Sequence, residues 1–279
     1  MKASERRSNT SRPWLVVRML AWRELVRFFR QRHRVIGAVG QPILFWLLFG
    51  AGLRQSFRLG DEGGPTFAEY YFPGTLMLTL LFTAIFSTIS IIEDRREGFL
   101  QNVLVAPTPR WAMVLGKLLG GVAIAMLHGL LLLALGLTLQ PPASAANWAP
   151  LIVLLFLSAL GMTGLGFVIA WRLDSTQGFH AIMNLLLMPM WLLSGAFFPL
   201  PAASADAPAG QLVLHWIMRL NPLTYCVAGV RRLWSDADLP LGYYQPDLST
   251  SWIVAIAFAV GLVAAAILTG RTRTVGDWQ

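Results

Sequence analysis

The sequence contains a single cysteine, Cys226. No disulfide can close within one chain, so cysteine usage leaves the redox compartment open. Charge is also scarce. Asp, Glu, Lys and Arg make up 13% of 279 residues, against about 25% in a water-soluble domain. Catalytic signatures are missing. There is no Gly-x-Ser-x-Gly and no His-Glu-x-x-His. The four histidines, His33, His128, His180 and His215, have no metal-ligand spacing. The nearest approach to a phosphate loop is LGKLLG at 115–120. There Lys117 is followed by Leu, and the upstream glycine of a Walker motif is lacking. No cofactor is therefore expected on this chain. No repeat of 20–50 residues is evident. No cleavable leader is expected, because the first apolar window opens only near residue 35, without a small-residue cleavage pattern after it.

What the sequence does hold is apolar: 56% of it is hydrophobic. Six uncharged windows cover 35–53, 72–92, 118–139, 151–171, 179–198 and 251–270. Each is close to the roughly 20 residues that cross a bilayer as a helix. Helices satisfy their backbone internally, as lipid demands, and the ten-residue alternation of barrel strands is absent. The expected fold is an all-α polytopic membrane protein with six spans. It divides into a basic segment 1–34, a membrane domain 35–270 and a short tail 271–279.

The formal charge of +8 does not point to nucleic acid, because of where it sits. Take the N-terminus as cytoplasmic. Ten Lys/Arg then precede the first window, four lie between the second and third, one between the fourth and fifth, and two after the last, seventeen in all. The opposite side holds two, none and three. Acidic residues divide seven and seven. This is the positive-inside pattern, and it places both termini in the cytoplasm.

Residues 13–33, PWLVVRMLAWRELVRFFRQRH, are apolar but studded with arginine. At about 100° per residue, Arg23, Arg27, Arg30 and Arg34 share one face. Trp14, Ala21, Trp22, Leu25, Phe28 and Phe29 cover the other, while Arg18 must snorkel. Pro13 suits a helix start. The pattern reads as an amphipathic helix in the membrane interface, with membrane lipids as its partners. A plain basic flank that sets topology is the simpler alternative.

The windows carry no Asp, Glu, Lys or Arg, only Gln41, His128, His180 and Asn184 as notable polar groups. Ion-coupled transporters generally need such charges as relays, so a secondary transporter is disfavoured. A membrane-embedded lipid-modifying enzyme would need convergent carboxylates or histidines, which are not found. Gly161, Gly164 and Gly166 fall inside a span and read as close helix packing rather than a nucleotide loop.

Between the second and third windows runs EDRREGFLQNVLVAPTPRWAMVLGK, residues 93–117. Five charges lead into Gly98. FLQNVLVA can then form a short helix across the membrane face, ended by Pro107 and Pro109. Phe99, Leu100, Val103 and Leu104 make an apolar side, rimmed by Glu97, Gln101, Asn102 and Arg110. Such a knob suits a cleft on a soluble partner; a charged, solvated turn is the bland alternative. Farther on, LLSGAFFPLP (192–201) precedes Leu220-Asn221-Pro222-Leu223-Thr224-Tyr225 and Arg231. The flanking apolar stretches, 211–220 and 223–234, are too short to span.

These two stretches, in this order, resemble the permease subunits of ABC-2-type ATP-binding cassette exporters. Glu97-Gly98, Leu104 to Pro107, Arg110 and Gly116-Lys117 are similar to the family's first cytoplasmic loop, although Phe99 and Gln101 replace residues that are often small polar and acidic. The resemblance covers nearly the whole chain. It implies that Glu97, Gly98, Phe99, Leu100, Val103 and Leu104 form a coupling helix on a separate ATPase subunit, which holds ATP and Mg. It implies a dimer with itself or a homologous permease. It also implies a re-entrant external hairpin containing Asn221, Pro222, Tyr225 and Arg231. Arg231 would hold helix-end carbonyls or face headgroups. Phe197 and Phe198, ending the fifth window, are candidate gate residues, because apolar constrictions gate by dewetting; facing lipid is the alternative. Phe82, Phe86, Met188, Met190 and Trp191 are pathway candidates. None is charged, which favours a hydrophobic or amphipathic cargo such as a drug, lipid or lipid-linked glycan. A neighbouring reading frame with Walker motifs would separate this function from the enzyme and secondary-transporter alternatives.

Overall fold

The computed structural model describes residues 13–31, 67–137, 144–203, 208–235 and 243–272, together with seven residues between 36 and 48. Side chains of 67–69 are outside the description. Among the described residues the regular structure is helical, with one isolated antiparallel bridge between Pro201 and Tyr243. In chain order the helices are α1 (Pro13–Arg30), α2 (Phe67–Ser87), α3 (Ile89–Arg96), α4 (Phe99–Val105), α5 (Arg110–Gly136), α6 (Trp148–Arg172), α7 (Thr176–Trp191), α8 (Ala209–Leu220), α9 (Pro222–Ser235) and α10 (Leu248–Thr269).

Five segments are long and apolar enough to cross a membrane: Tyr70–Arg96, Arg110–Gly136, Ala145–Arg172, Thr176–Ala196 and Leu248–Thr269. They correspond to the second through sixth windows. The helices outrun the windows into flanking charged residues, starting at Arg110 before the third and ending at Arg96 and Arg172 after the second and fourth, because a backbone ladder does not stop where apolarity does. The first window, 35–53, lies largely outside the described residues. Ile36, Gly37, Gly40, Ile43, Leu44, Leu47 and Leu48 are described, and they are helical. The segments 1–12, 32–35 and 273–279 also lie outside.

Helix α2 occupies the middle of the bundle, against α5, α6 and α9. Its apolar window is 89% buried, compared with 22% for α10. Small residues set these distances. A Cβ at Gly161 would stand 2.3 Å from the Phe258 ring, and one at Gly164 would stand 3.0 Å from the Leu262 backbone. Gly161 and Gly164 are thus the seam between α6 and α10, while Gly166 is pressed to Ile85 and Thr88 on the α2 side. Close approach without a side chain is how membrane helices gain packing contacts when hydrophobicity no longer drives them together.

Helix α1 makes its main contact with α5. Leu20 and Glu24 lie over Gly116 and Gly120, where added Cβ atoms would meet them at 2.8 and 2.7 Å. Trp14 meets Trp111 and Phe28 meets His128, edge to face. The two helices therefore run side by side in the same chain direction. Of the apolar face expected from the sequence, Trp14, Trp22 and Phe29 are exposed, whereas Phe28 is buried against His128. Two of the arginines, Arg23 and Arg27, turn inward to carboxylates of α3 and the residue after it. A fixed carboxylate within reach displaces the headgroup expected for them.

Candidate functional site

At the Glu97 end, α1, α3 and α5 meet on one ionic cluster centred on a buried carboxylate. Asp94 is fully buried in the last turn of α3. Its Oδ1 accepts from Arg23 Nη2 at 2.7 Å and Arg27 Nη1 at 2.5 Å. Its Oδ2 accepts from Arg23 Nη1 at 2.9 Å and from Lys117 Nζ. Lys117 also donates to Glu24 Oε1 at 2.5 Å, and Arg27 reaches Glu93 at 3.0 Å and Glu97 at 3.1 Å. Buried charges persist when paired and hydrogen-bonded on every side. For Arg23, burial alone would pull the pKa down, but the hydrogen bond and charge of Asp94 outweigh it and hold the guanidinium above its ordinary value.

The neighbouring arginines turn the other way. Arg95 donates to the carbonyls of Trp171 at 2.7 Å and Leu173 at 3.2 Å, and to Asp174 at 3.0 Å. Arg96 donates to the Asp174 carbonyl at 3.1 Å. These are the orphan carbonyls and negative dipole end of α6, where a cation belongs. Arg110 similarly donates to the Arg271 carbonyl at 2.8 Å, beyond the end of α10. The charge cluster thus fastens α1, α3, α5 and α6 rather than hanging in solvent.

Helix α4 is mounted on this cluster. Gly98 turns the chain into it with φ +74°, a left-handed conformation that favours glycine. Leu100 is buried in the chain's own core. Phe99 lies under Arg23, whose guanidinium carbon is 3.7 Å from the ring centroid. Val103 and Leu104 also pack against the core. The apolar side expected to seek a partner is therefore largely taken up at home. The face left outward is Gln101, Asn102 and Val105, the valine being 84% exposed. Asp94, Lys117 and Glu24 do not stand out as a unit in the sequence. The available signal is an acid and a lysine just outside adjoining apolar windows.

At the opposite end, α7 breaks. Leu192–Ala196 form a π turn in which Leu193 and Gly195 leave helical geometry, Gly195 with φ +76°. Asn221 Nδ2 donates to the Met190 carbonyl at 2.5 Å and the Leu193 carbonyl at 3.2 Å. Its Oδ1 accepts from Leu223 N at 3.1 Å, so the same side chain caps α9, with Pro222 at the first helical position. Tyr225 donates to the Arg219 carbonyl at 2.9 Å and locks α9 to α8. Arg231 is buried, and of its two alternatives the structure shows the carbonyl: it donates to Gly195 O at 2.9 Å. The two short stretches are indeed helices, α8 and α9.

The pathway and gate candidates separate. Phe82 and Phe86 are half-buried and pair at 5.5 Å, and Phe86 lies 5.2 Å from His180. Met190 is half-buried. Trp191 is buried and donates to the Gly74 carbonyl at 2.9 Å, which makes it a packing residue. Phe197 is half-buried against Tyr71 at 5.6 Å and Trp191 at 6.3 Å. Phe198 is exposed.

A bundle of spanning helices with a short helix seated on one end and a hairpin clasping the other defines a multi-pass membrane protein. Comparison with known proteins gives its family. The ABC-2 type transporter family matches residues 16–233, and the chain belongs to that family. It is a membrane permease component of an ABC transporter, a class that works with an ATPase partner. A transport permease, ycf38, of Cyanophora paradoxa is 26% identical over 86% of this chain and 83% of its own. The inner membrane transport permease YadH of Escherichia coli K12 is 24% identical over 88% of this chain and 91% of its own. The protein named "Probable multidrug ABC transporter permease YbhR", also of Escherichia coli K12, is 24% identical over 59% of this chain and 43% of its own.

Proposed function

We propose that the chain is the transmembrane half of an ABC exporter. It moves a hydrophobic or amphipathic substrate by ATP hydrolysis on a separate subunit that holds ATP and Mg. Two permease chains, identical or homologous, form the pathway between them, because closed two-fold assembly is the commonest solution for half-units. The chain resides in the inner membrane with both termini cytoplasmic, which puts α4 on the ATPase side and the α8–α9 hairpin outside.

The observation that carries this reading is the mounting of α4. A seven-residue helix is set on a buried ion cluster that joins three longer helices, and it presents an exposed valine among polar neighbours. Force applied at Val105 reaches α1, α3 and α5 through Phe99, Arg23 and Asp94 without an intervening loose joint. The half-buried Phe82, Phe86 and Met190 supply apolar surface for cargo.

Purification with the cognate ATPase tests the reading. The expected result is a complex of two permease and two ATPase chains whose hydrolysis rises with substrate in proteoliposomes. A stable one-to-one complex that still transports would sink the dimer. Transport driven by a proton or sodium gradient without ATP would sink the coupling.

A further inference from the structure

In a bilayer the outward face of a span meets hydrocarbon, so a polar side chain there is costly unless protein or water meets it. The described residues of the six apolar windows obey this rule with two exceptions. Their exposed positions are apolar apart from His180 and Asn184, both on α7. Those two are one turn apart and share a face. Helix α10, the least covered span, shows what a lipid face looks like: Ile253, Ile256, Val260 and Leu268, with no polar side chain among them. Asn184 stands eight residues into the segment Thr176–Ala196, about 12 Å along the helix. Its carboxamide can donate twice and accept twice, yet it has no hydrogen-bond partner among the described residues.

The same face adjoins the one opening in the central helix. From Tyr70 to Ile92 every residue is buried except Phe82 and Phe86. These rings pair at 5.5 Å, and Phe86 lies 5.2 Å from His180. Helices α2 and α7 run in opposite directions, with Trp191 on Gly74 near one end and His180 on Phe86 near the other. Asn184 therefore sits at the level of Phe82. Two rings and two polar groups make one strip, apolar along the α2 edge and polar along the α7 edge. Lipid matches only the first edge. A second copy pressed flush would offer Asn184, among exposed polar groups at that depth, only its own Asn184. An aqueous space bordered by the strip satisfies both edges at once.

We infer that His180 and Asn184 form a wetted polar track on the pathway wall. The polar head of an amphipathic cargo hydrogen-bonds along it while the tail lies on Phe82 and Phe86. The inference rests on the proposed reading of Phe82 and Phe86 as pathway surface. It narrows the cargo to molecules that join a hydrogen-bonding head to an apolar tail, and it makes the two α7 residues determinants of specificity.

Cysteine reactivity tests this in permeabilised membranes of cells that express the full chain with its cognate ATPase. Single cysteines replace Asn184 and Val260, the latter an exposed α10 position nine residues from Thr269 and so of similar depth. Cys226 is fully buried, and the wild-type chain sets the background. The reagent is a charged methanethiosulfonate, which stays in water and attacks the thiolate. Asn184→Cys is expected to react at least about tenfold faster than Val260→Cys, because an apolar site raises a thiol's pKa and each unit removes nine-tenths of the thiolate. Added 1-monolauroylglycerol should slow the reaction at 184, whereas dodecane, the same tail without a head, should not. Should Asn184→Cys fail to insert, His180→Cys against Ala264→Cys carries the comparison. Equal rates at the two depth-matched positions overturn the wetted track. So does oxidative linking of two Asn184→Cys chains without reaction toward the reagent, which assigns the face to a second copy. Equal slowing by both probes, or by neither, overturns the reading of the head. None of these readouts requires ATP hydrolysis, so a lipid-facing result leaves the ATPase-driven function standing, and failed ATPase assembly leaves the labelling readable.

Discussion

Arg23 and Asp94 lie 71 residues apart and form a two-pronged pair at 2.7 and 2.9 Å. The carboxylate is fully buried, and Lys117 shares its Oδ2 with one of the prongs. The two prongs fix the orientation of α1 on α3, and the lysine fixes both on α5.

Asp94→Asn should therefore cost more than one hydrogen bond. It leaves the buried Lys117 and the partly exposed Arg23 facing a neutral amide, a loss worth up to about 3–5 kcal/mol for a buried pair. A marked drop in melting temperature of the detergent-purified protein is expected, with Glu97→Gln, on an exposed side chain, changing it little. Equal melting temperatures for the two variants would contradict the cluster's role.

Helix α4 separates folding from docking. Leu100→Ala removes a buried side chain and should destabilise the permease by about 2–5 kcal/mol. Val105→Asp alters only the outward face. It should leave melting unchanged while weakening ATPase co-purification by roughly tenfold or more, the scale of an interface hot spot. If Val105→Asp binds and hydrolyses as wild type does, α4 is not the docking element, and the turn at 172–177 becomes the next to examine.

Gly74 tests the fit of α2 against the broken helix. An added Cβ would sit 2.7 Å from the Ala196 Cβ and 2.8 Å from its carbonyl oxygen, and backbone cannot step aside. Gly74→Ala should cut the yield of folded protein and lower its melting temperature. Gly261→Ala, with nothing within 4 Å, should be neutral or stabilising by up to about 1 kcal/mol. Fluorescence-detected gel filtration of the pair decides it.

Asp247 gives an acid-side signature. It caps α10, accepting from Ser249 and Thr250 hydroxyls and from Thr250 N, and these bonds hold its carboxyl well below the usual range. A depressed folded pKa contributes stability that is complete above the unfolded value and lost as pH falls toward the folded one. From pH 7 to pH 5 Asp247→Asn should thus differ from wild type by a constant amount. Below about pH 4, near the ordinary carboxylate value, the wild type should lose stability relative to the variant. A difference that stays constant through the acid range as well would exclude this linkage.

Five of the six expected spans, the second through sixth, were legible because membrane crossing imposes a length, and a run of about 20 uncharged residues has almost no place in a water-soluble domain. Residues 211–220 and 223–234 were legible as apolar stretches too short to span, parted by Asn221-Pro222, while their pairing as a hairpin came from the family resemblance. The ionic cluster was not legible. Arg23, Asp94 and Lys117 each lie outside an apolar window, and nothing local pairs a residue with another 71 or 23 positions away. The orientation of α4 was also hidden. Two turns of helix carry apolar residues on most sides, so the pattern cannot say whether Leu100 faces home or a partner. The break in α7 had only weak signals, Pro189 and Gly195, and a glycine in a span more often marks close packing.

Helix α10 has a consequence for the lipid around the chain. Its 22 residues rise about 33 Å, close to the roughly 30 Å of a bilayer's hydrocarbon. Little of its side surface is covered by the chain, while its inner edge is pressed to α6 at Gly161 and Gly164 with no room to slide. Hydrophobic mismatch therefore cannot be relieved by shifting α10 along its neighbour. A thinner membrane is met by tilting α6 and α10 together or by thickening the lipid around them, so acyl-chain length bears on the pair as a unit.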